Sequence, residues 1–132
     1  MHKCFVSLLA TGTFFVSTIA LAQGLNSQDR KFLEESAKGG MMEVHMGHMA
    51  LEKGKSEAVK SFGQRMVNDH SKANQELTEL ARRKGVVLPQ DDSTVGSKAL
   101  SITSGALFDR GYTKTMVSDH ENDIKEFEKE VS

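Results

Sequence analysis

Apolar residues recur along most of this chain at steps of three and four, which is the spacing of an amphipathic α-helix. Capping and stopping residues divide the pattern into three long segments. These run from near Asn26 or Ser27 to about Gly54, from Ser56 to Lys84 with a stop at Gly85, and from about Gly105 to the end of the chain. A short helical turn is predicted at residues 97–102. No stretch alternates at period two for long enough to indicate a strand, so the pattern predicts an all-α fold.

The lengths of the links predict how the long segments pack. Only a few residues join the first two, which favours an antiparallel hairpin. The link at residues 85–96 is longer and contains Pro89. Because it can carry the chain back along the bundle, the second and third segments are predicted to run parallel. A hairpin followed by a long crossover is how ferritin-like bundles begin.

A five-residue repeat supports this arrangement. Met66-Val67-Asn68-Asp69-His70 recurs fifty residues later as Met116-Val117-Ser118-Asp119-His120. Each copy places its Met and His on the apolar face of its helix, so we predict that His70 and His120 are interior neighbours. Asp69 and Asp119 point about 100° away from the adjacent histidines. They are expected to be solvated or paired along their own helices, as Asp69 with Arg65.

The N-terminus has the three parts of a secretory signal. Lys3 supplies the positive start, an uncharged apolar run follows, and Ala20-Leu21-Ala22 supplies a small-x-small cleavage pattern. We therefore expect a cleaved signal at residues 1–22 and one domain at 23–132, periplasmic or secreted, with no stable membrane span after cleavage. Cys4, the only cysteine, leaves with the signal, so the mature chain has neither a disulfide nor thiol chemistry.

Composition narrows the function further. The chain has 17 basic and 18 acidic residues, and nucleic-acid binders concentrate positive charge instead. The sequence contains neither a glycine-rich phosphate loop nor a nucleophile-elbow serine. We therefore expect no nucleic-acid partner and no enzyme of these classes.

An ordered set of motifs resembles a known family. The motifs are Glu43-Val44, Phe62 with Met66-Val67-x-Asp69-His70, Gly85-x-x-Leu88-Pro89, Phe108-Asp109-Arg110-x-Tyr112, and Met116-Val117-x-Asp119-His120-Glu121. Together they cover residues 29–130 and resemble an exported bacterial family catalogued as domain of unknown function 4142. The resemblance implies a ferritin-like four-helix fold and an envelope location, but no established activity.

The chain departs from this family at its C-terminus. Family members usually continue into a fourth helix, whereas this sequence stops at Ser132. We therefore expect a truncated ferritin-like up-down bundle with three long helices and the fourth missing. Apolar side chains of the third helix would then lie exposed, namely Phe108, Tyr112, Ile124, Phe127 and Val131. An exposed patch of this kind predicts self-association, most simply as a two-fold dimer, an envelope protein partner, or poor stability of the chain alone. The alternative is that the third helix folds back tightly enough to form a closed three-helix bundle.

Glu43, His70 and His120 form the first candidate site. Carboxylates and imidazoles that converge inside a helical bundle can bind iron or manganese. The alternative is a buried hydrogen-bonded network without metal, since interior polar groups must find partners either way. A two-iron redox enzyme is disfavoured because the sequence contains no Glu-x-x-His.

Met41, His45, His48 and Met49 form the second candidate site. They share one ridge of the first helix, which is unusually rich in Met and His for the family. Thioether and imidazole ligands suit copper. The alternative is that these methionines are helix-forming gap fillers that pack against a neighbouring helix or subunit.

The sequence thus favours a non-enzymatic, exported helical protein with an interaction or protective role. The alternative is a periplasmic metal-binding protein for copper or iron, which would use the Met/His helix face or the Glu/His bundle core.

Overall fold

The computed structural model of the chain describes residues 25–89 and 98–132. The predicted signal at residues 1–22 lies outside these ranges. The described residues form four helices and no strand: α1 (Ser27–Lys53), α2 (Glu57–Lys84), α3 (Lys98–Ser101) and α4 (Gly105–Glu130). The all-α prediction and the predicted short helical turn are both confirmed.

The helix ends follow the predicted capping signals. Asn26 caps α1 because its side chain accepts a hydrogen bond from the backbone N–H of Asp29 at 2.8 Å. The Ser56 hydroxyl caps α2 by accepting from the N–H of Val59 at 3.2 Å. Gly85 ends α2 in the left-handed conformation, with φ of 68°, which residues other than glycine rarely adopt.

Helices α1 and α2 form an antiparallel hairpin whose backbones approach closely at two glycines. A Cβ atom added to Gly63 would lie 2.6 Å from the Ala50 Cβ and 2.8 Å from the Gly47 carbonyl oxygen. A side chain at either glycine would therefore force the helices apart. This close approach fixes the relative axial position of α1 and α2, and therefore which of their residues face each other.

Helix α4 lies along the hairpin and contacts both of its ends. Near the start of α4, the Asp109 carboxylate accepts hydrogen bonds from the backbone N–H groups of Lys55 at 2.8 Å and Ser56 at 2.9 Å. Near its end, the Phe127 ring packs edge-on against Phe32 of α1, with centroids 5.0 Å apart. Helix α4 is therefore antiparallel to α1 and parallel to α2, as the link lengths predicted.

The apolar core divides into two clusters. The larger contains Met46, Met49, Ala50, Met66, Leu100, Phe108, Tyr112 and Met116. The smaller contains Leu33, Ala81 and Val86. Helix α1 contributes to both because it packs against α2 along one side and α4 along another.

Two predictions about α4 are wrong. Phe108 and Tyr112 were expected to be exposed, but their exposed fractions are 0% and 1%. They are buried because α1 and Leu100 of α3 cover the first half of α4. Exposure is confirmed only for the second half, where Ile124, Phe127 and Val131 are more than half exposed.

Across residues 25–89 and 98–132, each helix is too short or too polar to cross a bilayer.

Candidate metal centre

A buried carboxylate lies between two histidines at the centre of the bundle. Glu43 of α1 is only 2% exposed. Its Oε2 atom lies 2.7 Å from Nδ1 of His70 on α2, and its Oε1 atom lies 3.4 Å from Nδ1 of His120 on α4. One potential ligand atom from each residue lies within 4.8 Å of the other two. The structure thus brings together all three residues of the first predicted site.

The repeat and the glycine contact explain this convergence. His70 follows Gly63 by two helical turns, and Glu43 precedes Gly47 by one, so the close approach of α1 and α2 sets them side by side. Met66 and Met116, four residues before the histidines, are both buried in the larger cluster. They orient the repeats toward one interior point, where the imidazole centroids are 5.9 Å apart.

The two histidines have different hydrogen-bond partners. The pKa of His70 is raised from its ordinary value of 6.5, mainly because its ring bonds to the Glu43 carboxylate, although burial opposes this shift. His120 Nδ1 lies 3.0 Å from the carbonyl oxygen of Met116. A carbonyl can only accept, so this nitrogen donates. A metal ion must compete with the ring protons, because ligating histidines are neutral.

Three buried oxygens around the site lack a hydrogen-bond partner among the described residues: Glu43 Oε1, the Tyr112 hydroxyl and Asp119 Oδ2. Burial, followed by the charge of Glu43, raises the pKa of Tyr112 to about 12. The same two causes raise the pKa values of Asp119 and Asp123. Tyr112, Asp119 and Asp123 thus each feel the negative charge of the Glu43 carboxylate.

The partial burial of Asp119 shows that one prediction from the sequence is wrong. Asp119 was expected to be solvated or paired along its own helix, but it is half-buried with one enclosed oxygen. The spacing Tyr112, Met116, Asp119 continues the buried stripe of α4 at steps of four and three. This helical spacing was the signal for Asp119, whereas Asp123, one turn further along α4, is exposed. Asp69 does pair with Arg65 at 3.2 Å, as predicted.

Two openings lead toward the three-residue site. The first, which we call the polar cleft, has a volume of about 590 Å³ and lies between α1, α2 and α4, with Glu43, His70 and Asp123 among its lining residues. The second, the apolar groove, has a volume of about 450 Å³ and lies between α2 and α4. Its lining residues are Ala58, Val59, Phe62, Tyr112, Thr113, Met116, Val117 and His120.

The members of the second predicted site have different surroundings. Met49 belongs to the larger core cluster and is 6% exposed. Met41 is half-buried and lines a cavity between α1 and α2. His45 is half-buried, whereas His48 is exposed. Copper binding by these four residues stays a prediction.

Comparison with known proteins identifies the family. The sequence profile of DUF4142, a domain of unknown function, matches residues 16–132. No curated protein and no solved structure matches the chain. The profile match covers almost the whole chain and confirms the resemblance predicted from the motifs. The chain therefore belongs to the DUF4142 family.

Proposed function

We propose that this chain is an exported, ferritin-like binding protein that holds one divalent first-row metal ion between Glu43, His70 and His120. The observation that carries the proposal is the Glu43 carboxylate, buried between two imidazoles on different helices, with one oxygen that lacks a hydrogen-bond partner among the described residues.

The unpartnered oxygens favour a metal over a purely structural network. A structural network persists because each buried polar atom finds a partner, and an unsatisfied one costs about 1–3 kcal/mol. Here Glu43, Tyr112 and Asp119 each have a buried oxygen without such a partner in the described part of the chain. A cation beside Glu43 would satisfy its free oxygen and offset the negative charge around it.

The donor atoms favour particular metals. Two imidazoles and one carboxylate form the donor set of mononuclear iron sites with open positions, and they also suit zinc. The three residues contain no sulfur donor, which disfavours Cu(I). A two-iron centre would need Glu three residues before each histidine, but Val67 and Val117 occupy those positions.

Calorimetric titration of the metal-free protein with Fe(II) under anaerobic conditions, Mn(II) and Zn(II) tests the proposal. We expect one ion per wild-type chain and at least about a hundredfold weaker binding after His70→Ala and His120→Ala together. His48→Ala is the matched control, because His48 is an exposed histidine on α1. Equal affinities for the double variant and the wild type would contradict the proposal.

A second candidate function, association with another copy of the chain, is favoured by an exposed apolar stripe on α4. Val117, Ile124 and Val131 are 53%, 58% and 83% exposed, and Val117 continues into the apolar groove. Patches of this kind commonly mark interfaces. This role is compatible with metal binding, because His70 and Glu43 face the polar cleft rather than the groove.

A further inference from the structure

We propose that Asp123 provides a fourth ligand to the ion, from the side of the polar cleft. This inference rests on the proposed function and extends it by assigning a residue outside the Glu43–His70–His120 set. A ligand at Asp123 would also mean that the ion enters and leaves through the polar cleft.

The position of Asp123 on α4 suits this role. It follows His120 by three residues, so the two side chains are neighbours on the helix surface. Asp123 lines the same cleft as Glu43 and His70.

The buried carboxylate of Glu43 is the second observation that points to a cation here. Glu43 is 2% exposed, lines the cleft, and has an Oε1 atom without a hydrogen-bond partner among the described residues. In the metal-free protein, Asp123 adds a second carboxylate to the same cleft, where two like charges repel. A divalent cation between the two carboxylates would convert this repulsion into attraction.

The apolar groove offers no comparable ligand in the described part of the chain. The residues around His120 on that side include Phe62, Met116 and Val117, whose side chains carry no oxygen. Tyr112 has a hydroxyl there, but burial raises its pKa to about 12, so it remains neutral at physiological pH. An anionic oxygen can therefore reach the ion from the cleft but not from the groove.

Other carboxylates of the cleft are already paired along their own helices. Glu35 pairs with Lys31, Glu76 with Lys72, and Glu126 with Lys129. Asp123 has no such ion pair within the described residues. With Asp123 included, the shell would consist of two nitrogens and two carboxylate groups, a set of donors that suits Fe(II), Mn(II) and Zn(II).

Titration with Co(II), a coloured probe for these ions, tests the inference. We expect Asp123→Asn to weaken Co(II) binding at least about tenfold, the lower bound for loss of a supporting group at metal sites, and to alter the visible spectrum of the bound ion. Asp123→Glu, which keeps a carboxylate, should restore most of the affinity. Glu126→Gln is the matched control because Glu126 also lies on α4 and lines the cleft, and it should bind within about twofold of wild type.

The outcomes separate this inference from the proposed function. If Asp123→Asn binds Co(II) with wild-type affinity and an unchanged spectrum, while the His70→Ala, His120→Ala variant does not bind, the inference is wrong and the three-ligand proposal stands. If the wild-type protein does not bind Co(II), both are wrong. Circular dichroism of each metal-free variant checks the fold. Asp123 is exposed, so we expect Asp123→Asn to retain the wild-type helical signal.

Discussion

Glu43 and His70 form a direct acid–base contact between α1 and α2, in which Oε2 lies 2.7 Å from Nδ1. The carboxylate side chain is 3% exposed and the imidazole 24% exposed. The pair is therefore shielded on the side of Glu43 and accessible on the side of His70. A proton holds the contact in the metal-free protein, and an ion of higher charge can take its place.

The first prediction concerns the pKa of His70. Replacing Glu43 with Gln removes the carboxylate that is the main cause of the raised value. We expect the pKa to fall toward or below its ordinary value of 6.5, because burial, which lowers it, would then act without that opposing charge. Nuclear magnetic resonance titration of the metal-free proteins measures this directly. An unchanged pKa in Glu43→Gln would contradict the assignment.

The same contact gives stability a defined pH dependence. A raised pKa means that the native state holds the His70 proton more tightly than the unfolded chain does. This contribution to the free energy of unfolding is complete below about pH 6.5 and is lost as pH rises through the higher native value. We would measure the free energy of unfolding by urea titration of the metal-free protein at several pH values in this range. As pH rises, this free energy should fall less in Glu43→Gln than in wild type.

The second prediction concerns the contact between Asp109 and the α1–α2 turn. Backbone N–H groups of Lys55 and Ser56 lower the pKa of the Asp109 carboxyl. Its contribution to stability is therefore present above its ordinary value and is lost as pH falls through the lower native value. We expect Asp109→Asn to melt below wild type at pH 7, with a difference that shrinks below about pH 4.

The control for this prediction is Asp69→Asn. Asp69 pairs with Arg65 on the exposed surface of α2, and such pairs contribute little to stability. Its melting temperature at pH 7 should stay near wild type. If Asp109→Asn is as stable as Asp69→Asn at pH 7, Asp109 does not hold the turn.

The third prediction concerns the closeness of α1 and α2. A methyl group at Gly63 would meet the Gly47 carbonyl and the Ala50 side chain below normal contact distance. We expect Gly63→Ala to cost about 1–3 kcal/mol of unfolding free energy, because the helices must separate. Gly39, also inside a helix, has no atom within 4 Å of an added Cβ. Gly39→Ala should therefore gain about 0.5–1 kcal/mol, and urea unfolding compares the two. Equal stability of the two variants would rule out tight packing at Gly63.

The fourth prediction concerns self-association through the α4 stripe. Val117 is 53% exposed and lines the apolar groove. A charge in an apolar interface is costly, so we expect Val117→Lys to shift the protein toward monomer in sedimentation velocity across a wide concentration range. Val87→Lys, the same change at an 85% exposed position between α2 and α3, should leave the distribution unchanged. A wild-type protein that remains monomeric throughout would exclude this role.

Local sequence signals predicted much of the fold. The caps at Asn26, Ser56 and Gly85 act through neighbouring backbone groups, so they can be recognised without knowledge of the tertiary structure. The repeat with Met66 and Met116 predicted that both histidines point inward. Glu43 could be added because it is a carboxylate at an interior position of α1.

The packing of α4 could not be predicted in the same way. Its residues after Met116 fit two overlapping stripes, one through His120 and Ile124 and one through Asp119. The contacts of the first half of α4 with α1 and α3 decide which stripe is buried, and these are tertiary contacts. The same contacts bury Phe108 and Tyr112, and they explain why the half-buried Asp119 was missed.

Equilibrium dialysis of the metal-free protein against Fe(II), Mn(II) or Zn(II), followed by counting the ions retained per chain, tests the central claim most directly. Wild-type protein should retain one ion per chain of at least one of these metals. A variant with His70→Ala and His120→Ala should retain none above background, while His48→Ala should match wild type. If wild-type protein retains none of the three metals, or if the double variant retains as much as wild type, then Glu43, His70 and His120 do not form a metal site.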